Sequence, residues 1–330
     1  MEKFIKGLDL SELFFNEYML PFIKQNYPDL KFSAGLITEG SQILGYDDII
    51  STDHGWGAGS MLFLSDNELH RRDELSAVFE KNLPLSYKGY NSGVWITSMN
   101  EVLEIFIGEM PKNEIDWLTM SEQHLLGLTA GRIFVDMINI QETRNKLAFY
   151  PQNVKLYLIA SQWSIIGEEE AFVKRCSQVG DELGSRIICT RIAERLMRLC
   201  FLYKNKYAPY GKWFGTAFKK LSLDNIHDEI TAAISANTIT EREDHILNAQ
   251  ILVVELHNSC NITEPFKIII DDYGRDAKII HTGDFANIIR EKITNNSELK
   301  NCPLIGSMSQ IASIENLWGN LQYMWNNLQK

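Results

Sequence analysis

The sequence predicts an α+β fold: a small mixed sheet flanked by helices over residues 1–150, then an α-helical bundle over residues 151–330. Three observations carry this. Short apolar runs bounded by Gly, Ser and Asp clusters recur in the first part, which is the pattern of strands and turns. From about residue 142 onward, long stretches with helical periodicity take over. The charge also changes there, with 12 basic and 22 acidic residues in 1–150 (net −10) against 20 and 21 in 151–330 (net −1). A chain of 330 residues has room for about two domains with real cores.

Taken in order, residues 9–26 read as an opening helix. Leu13, Phe14, Tyr18 and Phe22 recur at helical spacing, Asp9 or Ser11 supplies a cap, and Pro21 kinks or splits it. Residues 32–38 read as a first strand, Met61–Leu64 as a second, Gly93–Thr97 as a third and Arg132–Asp136 as a fourth. A charged helix is expected over 66–82, and two or three helices over 99–128. In the second part, helices are expected over 151–166, 169–182, 184–204, 209–221, 224–237, 241–260 and 283–294, with a short strand at Phe266–Ile270. The join falls near Tyr150-Pro151.

Composition excludes several classes of function. With 32 Lys+Arg against 43 Asp+Glu, the net charge is −11, which makes the chain a poor general binder of nucleic acid or anionic membrane. No run of about 18 apolar residues exists, so no transmembrane helix is expected. The opening Met1–Gly7 has no apolar h-region, so no signal peptide is expected. The five cysteines (Cys176, Cys189, Cys200, Cys260 and Cys302) include no CxxC pair. That argues against a zinc site or disulfide framework and for a reduced, cytoplasmic setting.

The densest group of functional-looking residues is 39–59, between two expected strands. Gly40 lets backbone approach a phosphate closely, and the Ser41 hydroxyl adds a hydrogen bond. Asp53, twelve positions later, offers a carboxylate to Mg²⁺ held against a nucleoside triphosphate. Loop chemistry accounts for the same residues, with Asp47-Asp48 as a turn and Asp53 as a cap. GxxxxGK[ST], GxGxxG, GxSxG and HExxH patterns are all missing from the sequence.

The order Gly40-Ser41, Asp47-Asp48, then Ser51-Thr52-Asp53-His54 with Trp56-Gly57 resembles a poorly characterised bacterial family of the nucleotidyltransferase superfamily. That superfamily has a DNA polymerase β-like catalytic domain and includes the kanamycin and lincosamide nucleotidyltransferases. The resemblance continues through Gly131–Asp136, Tyr150-Pro151 and Asn205–Trp213. It implies a helical domain closing over the cleft. It also implies Mg²⁺-dependent transfer of a nucleoside monophosphate from a triphosphate to a hydroxyl acceptor, expected to be a small molecule. In these terms Gly40 and Ser41 hold phosphates, Asp53 and Asp136 are catalytic, and Mg²⁺ is held by Asp53 with Asp136, Asp47 or Asp48. The stretch 186–220 has nine basic residues and one acid, Glu194. Its Arg191, Arg195, Lys206 and Lys212 would neutralise the triphosphate, with Arg198 and Lys204 beside them.

One departure matters. The family reads Asp-His-Asp-Trp-Gly, and here Gly55 stands in place of the second acid. If 53 and 55 are alternate residues of a strand, Gly55→Asp restores a carboxylate pair. The alternative reading is a degenerate member that binds nucleotide or another ligand without turnover. His54 is expected to be a packed, hydrogen-bonded histidine, and Trp56 a core or lid contact.

Overall fold

The apolar runs of the first part pair into one sheet in a computed structural model, which describes residues 4–53, 55–272, 274–295 and 297–311. The strands are β1 (Phe32–Leu36), β2 (Ala58–Leu64), β3 (Ser86–Tyr87), β4 (Tyr90–Thr97) and β5 (Arg132–Asp136), in the order β3-β4-β2-β1-β5. The β2–β4 pairing is parallel and the others are antiparallel, so the sheet is mixed. Together with the helices below, this makes the fold α+β.

Alternation along the strands sends one set of side chains into the core. Phe32, Ala34, Ala58, Leu62, Leu64 and Ile96 pack with Leu10, Phe14, Met19, Leu75 and Phe79 from the covering helices. The second strand begins three residues before the apolar run, because Ala58, Gly59 and Ser60 pair with Ser92, Gly93 and Val94 whatever their hydropathy. The small β3–β4 hairpin turns through Lys88-Gly89, both at positive φ, the geometry that suits tight hairpins.

The opening helix starts at Gly7 rather than residue 9. It runs as α1 (Gly7–Phe14), a π-helical turn (Phe15–Met19) and α2 (Leu20–Asn26). Proline removes a helical N–H and crowds the carbonyl four residues back, and the wider π turn just ahead of Pro21 lets the helix continue unsplit. Neither Asp9 nor Ser11 caps it. The Gly7 N–H donates instead to Asp47, 40 residues away, and Ser11 donates its hydroxyl to the Gly57 carbonyl.

The other helices, in order, are α3 (Ser41–Leu44), α4 (Arg72–Asn82), α5 (Met99–Ile107), α6 (Asp116–Thr119), α7 (Glu122–Thr129), α8 (Ile140–Lys146), α9 (Gln152–Glu169), α10 (Phe172–Gln178), α11 (Glu182–Tyr203), α12 (Gly211–Lys219), α13 (Asp224–Ser235), α14 (Ile239–Ser259), α15 (Thr282–Arg290) and α16 (Met308–Ile311). The chain divides into two units, Met1–Met110 with Ser121–Ala148, and Pro111–Met120 with Phe149–Lys330.

In the second unit α9 packs on α11 and α15, and α14 on α11 and α13. Trp163, Leu196, Val253 and Ile289 are fully buried at its centre. The Trp163 indole N–H donates to the Tyr203 hydroxyl at 2.8 Å. Phe266–Ile270, expected as a strand, is irregular. A single bridge between Asp271 and Ile279 follows it among the described residues. Phe266 instead stacks between His257 and Phe285, so packing rather than sheet pairing explains its apolar character. The five cysteines are free thiols. No described helix is long and apolar enough to cross a membrane.

Candidate functional site

The segment 39–59 folds as two short helical pieces joined by turns. β1 ends at Leu36 and the chain enters a strained turn. Thr38 has φ 102°, a region that a β-branched residue occupies only when its surroundings force it, and Gly40 has φ 109°. The forcing is visible on α7 and just beyond it. The Thr38 N–H donates to the Gly127 carbonyl at 3.0 Å. A Cβ on Gly127 would lie 1.8 Å from the Thr38 carbonyl oxygen, and one on Gly131 would lie 2.2 Å from that of Leu36. Both positions therefore need glycine. A glycine inside a helix is the sequence signal that could have pointed to this approach.

Ser41 opens α3, where the Gly40 carbonyl accepts the N–H groups of Ile43 and Leu44. The Ser41 and Gln42 N–H groups have no partner among the described residues. With the Ser41 hydroxyl, they form a set of donors that suits a phosphate oxygen.

The candidate carboxylates have separate fates. Asp47 is buried. Its Oδ2 accepts the Gly7 N–H at 2.7 Å and the Trp56 indole N–H at 3.0 Å, and the Lys6 ammonium lies 3.5 Å from Oδ1. It thus ties the start of α1 to the loop. Trp56 is packed, stacking on Phe4 and meeting Tyr90 edge-on. Asp48 caps a 3-10 turn (Ile50–Asp53), accepting the N–H groups of Ile50 and Ser51 and the Ser51 hydroxyl. The Ser51 amide chiefly holds the Asp48 carboxyl below the usual range.

Asp53 ends that 3-10 turn, exposed. It does not lie on a strand. Gly55 adopts a left-handed conformation at φ 60°, with open space around the place of its missing side chain. Residues 53 and 55 therefore do not project to one face as alternate strand residues. His54 lies outside the described residues.

Asp136 is exposed at the far end of the sheet from the Gly40–Ser41 turn. Antiparallel pairing sets it opposite Ser33 near the start of β1, whereas the turn follows the strand's end. Three strand residues span roughly 10 Å before the turn begins. The start of β2, which Asp53 precedes, lies at the turn's end of the sheet. So the start of β2 and the Gly40–Ser41 turn lie toward one end of the sheet, and Asp136 toward the other.

Asp136 serves locally. It accepts the Ser33 hydroxyl at 2.5 Å and the Ile140 and Gln141 N–H groups at 2.9 and 3.0 Å, capping α8. Burial pushes its carboxyl up, but the bonds from Ser33, Gln141, Ile140 and Asn139 together hold it below the usual range. Asp47, Asp48 and Asp136 are thus each engaged in the unit's own structure. Among the described residues no group of three or more His, Cys, Asp or Glu side chains could hold a metal ion.

The sheet face opposite the α1 and α4 core adds a feature not singled out in the sequence. Gly59 and Gly93 sit side by side across the β2–β4 pairing, and a Cβ on either would meet nothing within 4 Å. Trp95, two residues along β4, is 41% exposed. Glycine inside a strand without steric need marks a place where something approaches closely.

In the second unit, Arg191 and Arg195 lie on α11. Arg191 pairs with Glu169, its Nε donating to Oε2 at 3.2 Å. Arg195 donates to the Gln310 carbonyl at 3.0 Å, and burial lowers its pKa. Arg198, beside them, is buried against the Phe214 ring and donates to Glu194. The arginines that the sequence offers as a basic face are thus engaged within their own unit. Lys204, Lys206 and Lys212 are exposed, with the Lys212 ammonium 5.1 Å from the Trp213 ring centre.

Comparison with known proteins gives a coarse result. Residues 117–214 match a family model described as a domain of unknown function, DUF4037. No curated protein matches the chain. Among solved structures, the chain is similar to a nucleotidyltransferase-like protein from Exiguobacterium sibiricum 255-15. The identity is 9%, the TM-score 0.34, and the match covers 76% of this chain and 77% of that one.

Proposed function

We propose that the first unit binds a nucleoside triphosphate through its phosphates at the Gly40–Ser41 turn, as a nucleotidyltransferase relative that has lost efficient transfer. The observation that carries this is the engagement of Asp47, Asp48 and Asp136 in the unit's own structure, while the Ser41 and Gln42 N–H groups of the turn have no partner among the described residues. In-line transfer needs a metal clamp on the attacking and leaving oxygens, and carboxylates tied up in capping and loop bonds are a poor basis for it. The unpartnered Ser41 and Gln42 N–H groups support phosphate binding. The flat backbone of Gly59 and Gly93 beside exposed Trp95 supports a planar base on the same sheet.

The test is calorimetric titration with a non-hydrolysable nucleoside triphosphate, with and without Mg²⁺, on the wild type, Ser41→Ala and Asp53→Asn. It is paired with a pyrophosphate-release assay across a panel of hydroxyl acceptors. The reading expects binding weakened by Ser41→Ala and little release. Rapid release abolished by Asp53→Asn would instead establish an active transferase. Equal affinity in the wild type and Ser41→Ala would take the turn out of the site.

A further inference from the structure

The run Lys267-Ile268-Ile269-Ile270-Asp271, between α14 and α15, has the composition of a strand without a strand beside it. β-branched side chains suit a pleated surface, which is why the sequence reads as a strand there. The chain passes from Phe266 to Asp271 without a turn or bend. Asp271 exchanges two backbone bonds with Ile279, its N–H donating at 3.0 Å and its carbonyl accepting at 2.9 Å. In an extended run, successive residues direct their backbone groups to opposite sides. Asp271 points its groups at Ile279, so Ile270 and Ile268 present theirs to the outer side. The N–H and C=O groups of Ile268, Ile269 and Ile270 have no partner among the described residues. Ile269 is 67% exposed and Ile270 54%. Unpaired backbone beside exposed isoleucine is a template on which another strand adds.

We propose that two copies of the chain associate through this run, each adding to the other as an antiparallel strand. The charge pattern selects a second copy as the occupant. A two-fold axis through Ile269 sets Ile268 opposite the other copy's Ile270, Ile269 opposite itself, and Lys267 opposite the other copy's Asp271. The run is thus complementary to itself, with opposite charges facing at both ends and isoleucine between them. Parallel addition in register would instead set Lys267 beside Lys267 and Asp271 beside Asp271. The backbone agrees with the antiparallel register. Ile268 and Ile270, whose groups face outward, form the hydrogen-bonded pairs. Ile269 and the charged pairs fall at the non-hydrogen-bonded positions, where side chains come closer. Asp271 already meets His281, whose Nε2 lies 3.1 Å from its Oδ2, and a carboxylate has acceptor sites for a second donor.

Sedimentation velocity on the full chain over about 5 to 500 μM reads the association, because a contact this small gives a weak dimer. The wild type should shift toward dimer across that range. Ile269→Lys places two ammonium groups face to face on the axis and removes two apolar contacts, so it should weaken the dimer about a hundredfold. Lys267→Asp sets acid against Asp271 at both ends and should weaken it about tenfold. Both side chains are exposed, and a circular-dichroism melt checks that each variant folds. Cross-linking under oxidised glutathione reads the register. Cα atoms of a non-hydrogen-bonded pair lie about 4.5 Å apart, within disulfide reach. Ile269→Cys should therefore give a disulfide-linked dimer. Ile268→Cys, which faces residue 270 of the other copy, should stay at the wild-type level set by the native thiols. A wild type that remains monomeric throughout, a dimer indifferent to Ile269→Lys, or equal cross-linking at 268 and 269 overturns the proposal. So does a monomer whose Ile268 and Ile270 amides gain protection from exchange when a short β-branched peptide is added, which gives the edge to an extended peptide instead.

Discussion

Replacing Asp136 by alanine should destabilise the first unit and leave ligand binding unchanged. The carboxylate accepts one hydroxyl and two backbone N–H groups, at 2.5, 2.9 and 3.0 Å. Removing it uncaps α8, and loss of a helix cap costs about 0.5–2 kcal/mol. It also strands the Ser33 hydroxyl, which is 0% exposed and keeps only the Ile138 N–H that it accepts. An unsatisfied buried donor costs about 1–3 kcal/mol more. Asp136 itself is solvent-exposed, so water replaces part of what is lost and a net cost of about 2 kcal/mol is expected. For a unit of this size, that is a fall in melting temperature of about 4–8 °C. The pH dependence follows from the lowered carboxyl. A group whose folded pKa lies below its unfolded one stabilises fully above the unfolded value, and this is lost as pH falls through the folded one. The gap between wild type and Asp136→Asn should therefore be full at neutral pH and close below the ordinary aspartate range near pH 4. Thermal melts by circular dichroism from pH 3 to 7, with triphosphate titrations at pH 7, measure both. Wild-type stability combined with lost nucleotide binding would refute the reasoning and return Asp136 to the site.

Three further outcomes are expected. Gly127→Ala drives a Cβ into the Thr38 carbonyl, so it should cost about 3 kcal/mol and weaken phosphate binding; a melt and a tripolyphosphate titration check both. Gly55→Asp places a side chain at φ 60° in open space, so it should cost about 1 kcal/mol equally with and without Mg²⁺; strong rescue by Mg²⁺ in a thermal melt would contradict this. His257, buried between the Tyr203 and Thr263 hydroxyls, is held neutral, its pKa pushed down by burial to about 4. Its unfolded value near 6.5 is higher, so stability is full above pH 6.5 and roughly 3 kcal/mol is lost by pH 4. His257→Gln should flatten that slope in denaturant melts across this range.

What the sequence made legible was what local periodicity encodes. Arg132–Asp136 appears as the strand it predicts, and the helices of the second part fall within a few residues of their expected spans. The misses have long-range causes. Asp47 reads as a turn residue because nothing nearby reveals that the Gly7 amide and the Trp56 indole meet there. The bonds that Asp136 makes to Ser33 and to the start of α8 are not legible until the β1–β5 register puts Ser33 opposite it. Asp53 and Gly55 look like alternate strand residues because β2 begins only at Ala58, past a 3-10 turn that hydropathy does not mark. Thr38 at positive φ carries no sequence signal; its partner Gly127 does, as a glycine within a helix.

The central claim is that phosphate is held by the amides of the turn after β1. Backbone amide resonances of the ¹⁵N-labelled chain, followed during titration with tripolyphosphate, test it most directly. The account predicts that the Ser41 and Gln42 amides shift with the ligand and gain protection from exchange, in step with the calorimetric isotherm. Saturable binding that leaves those two amides unmoved would place the phosphate elsewhere and contradict the account.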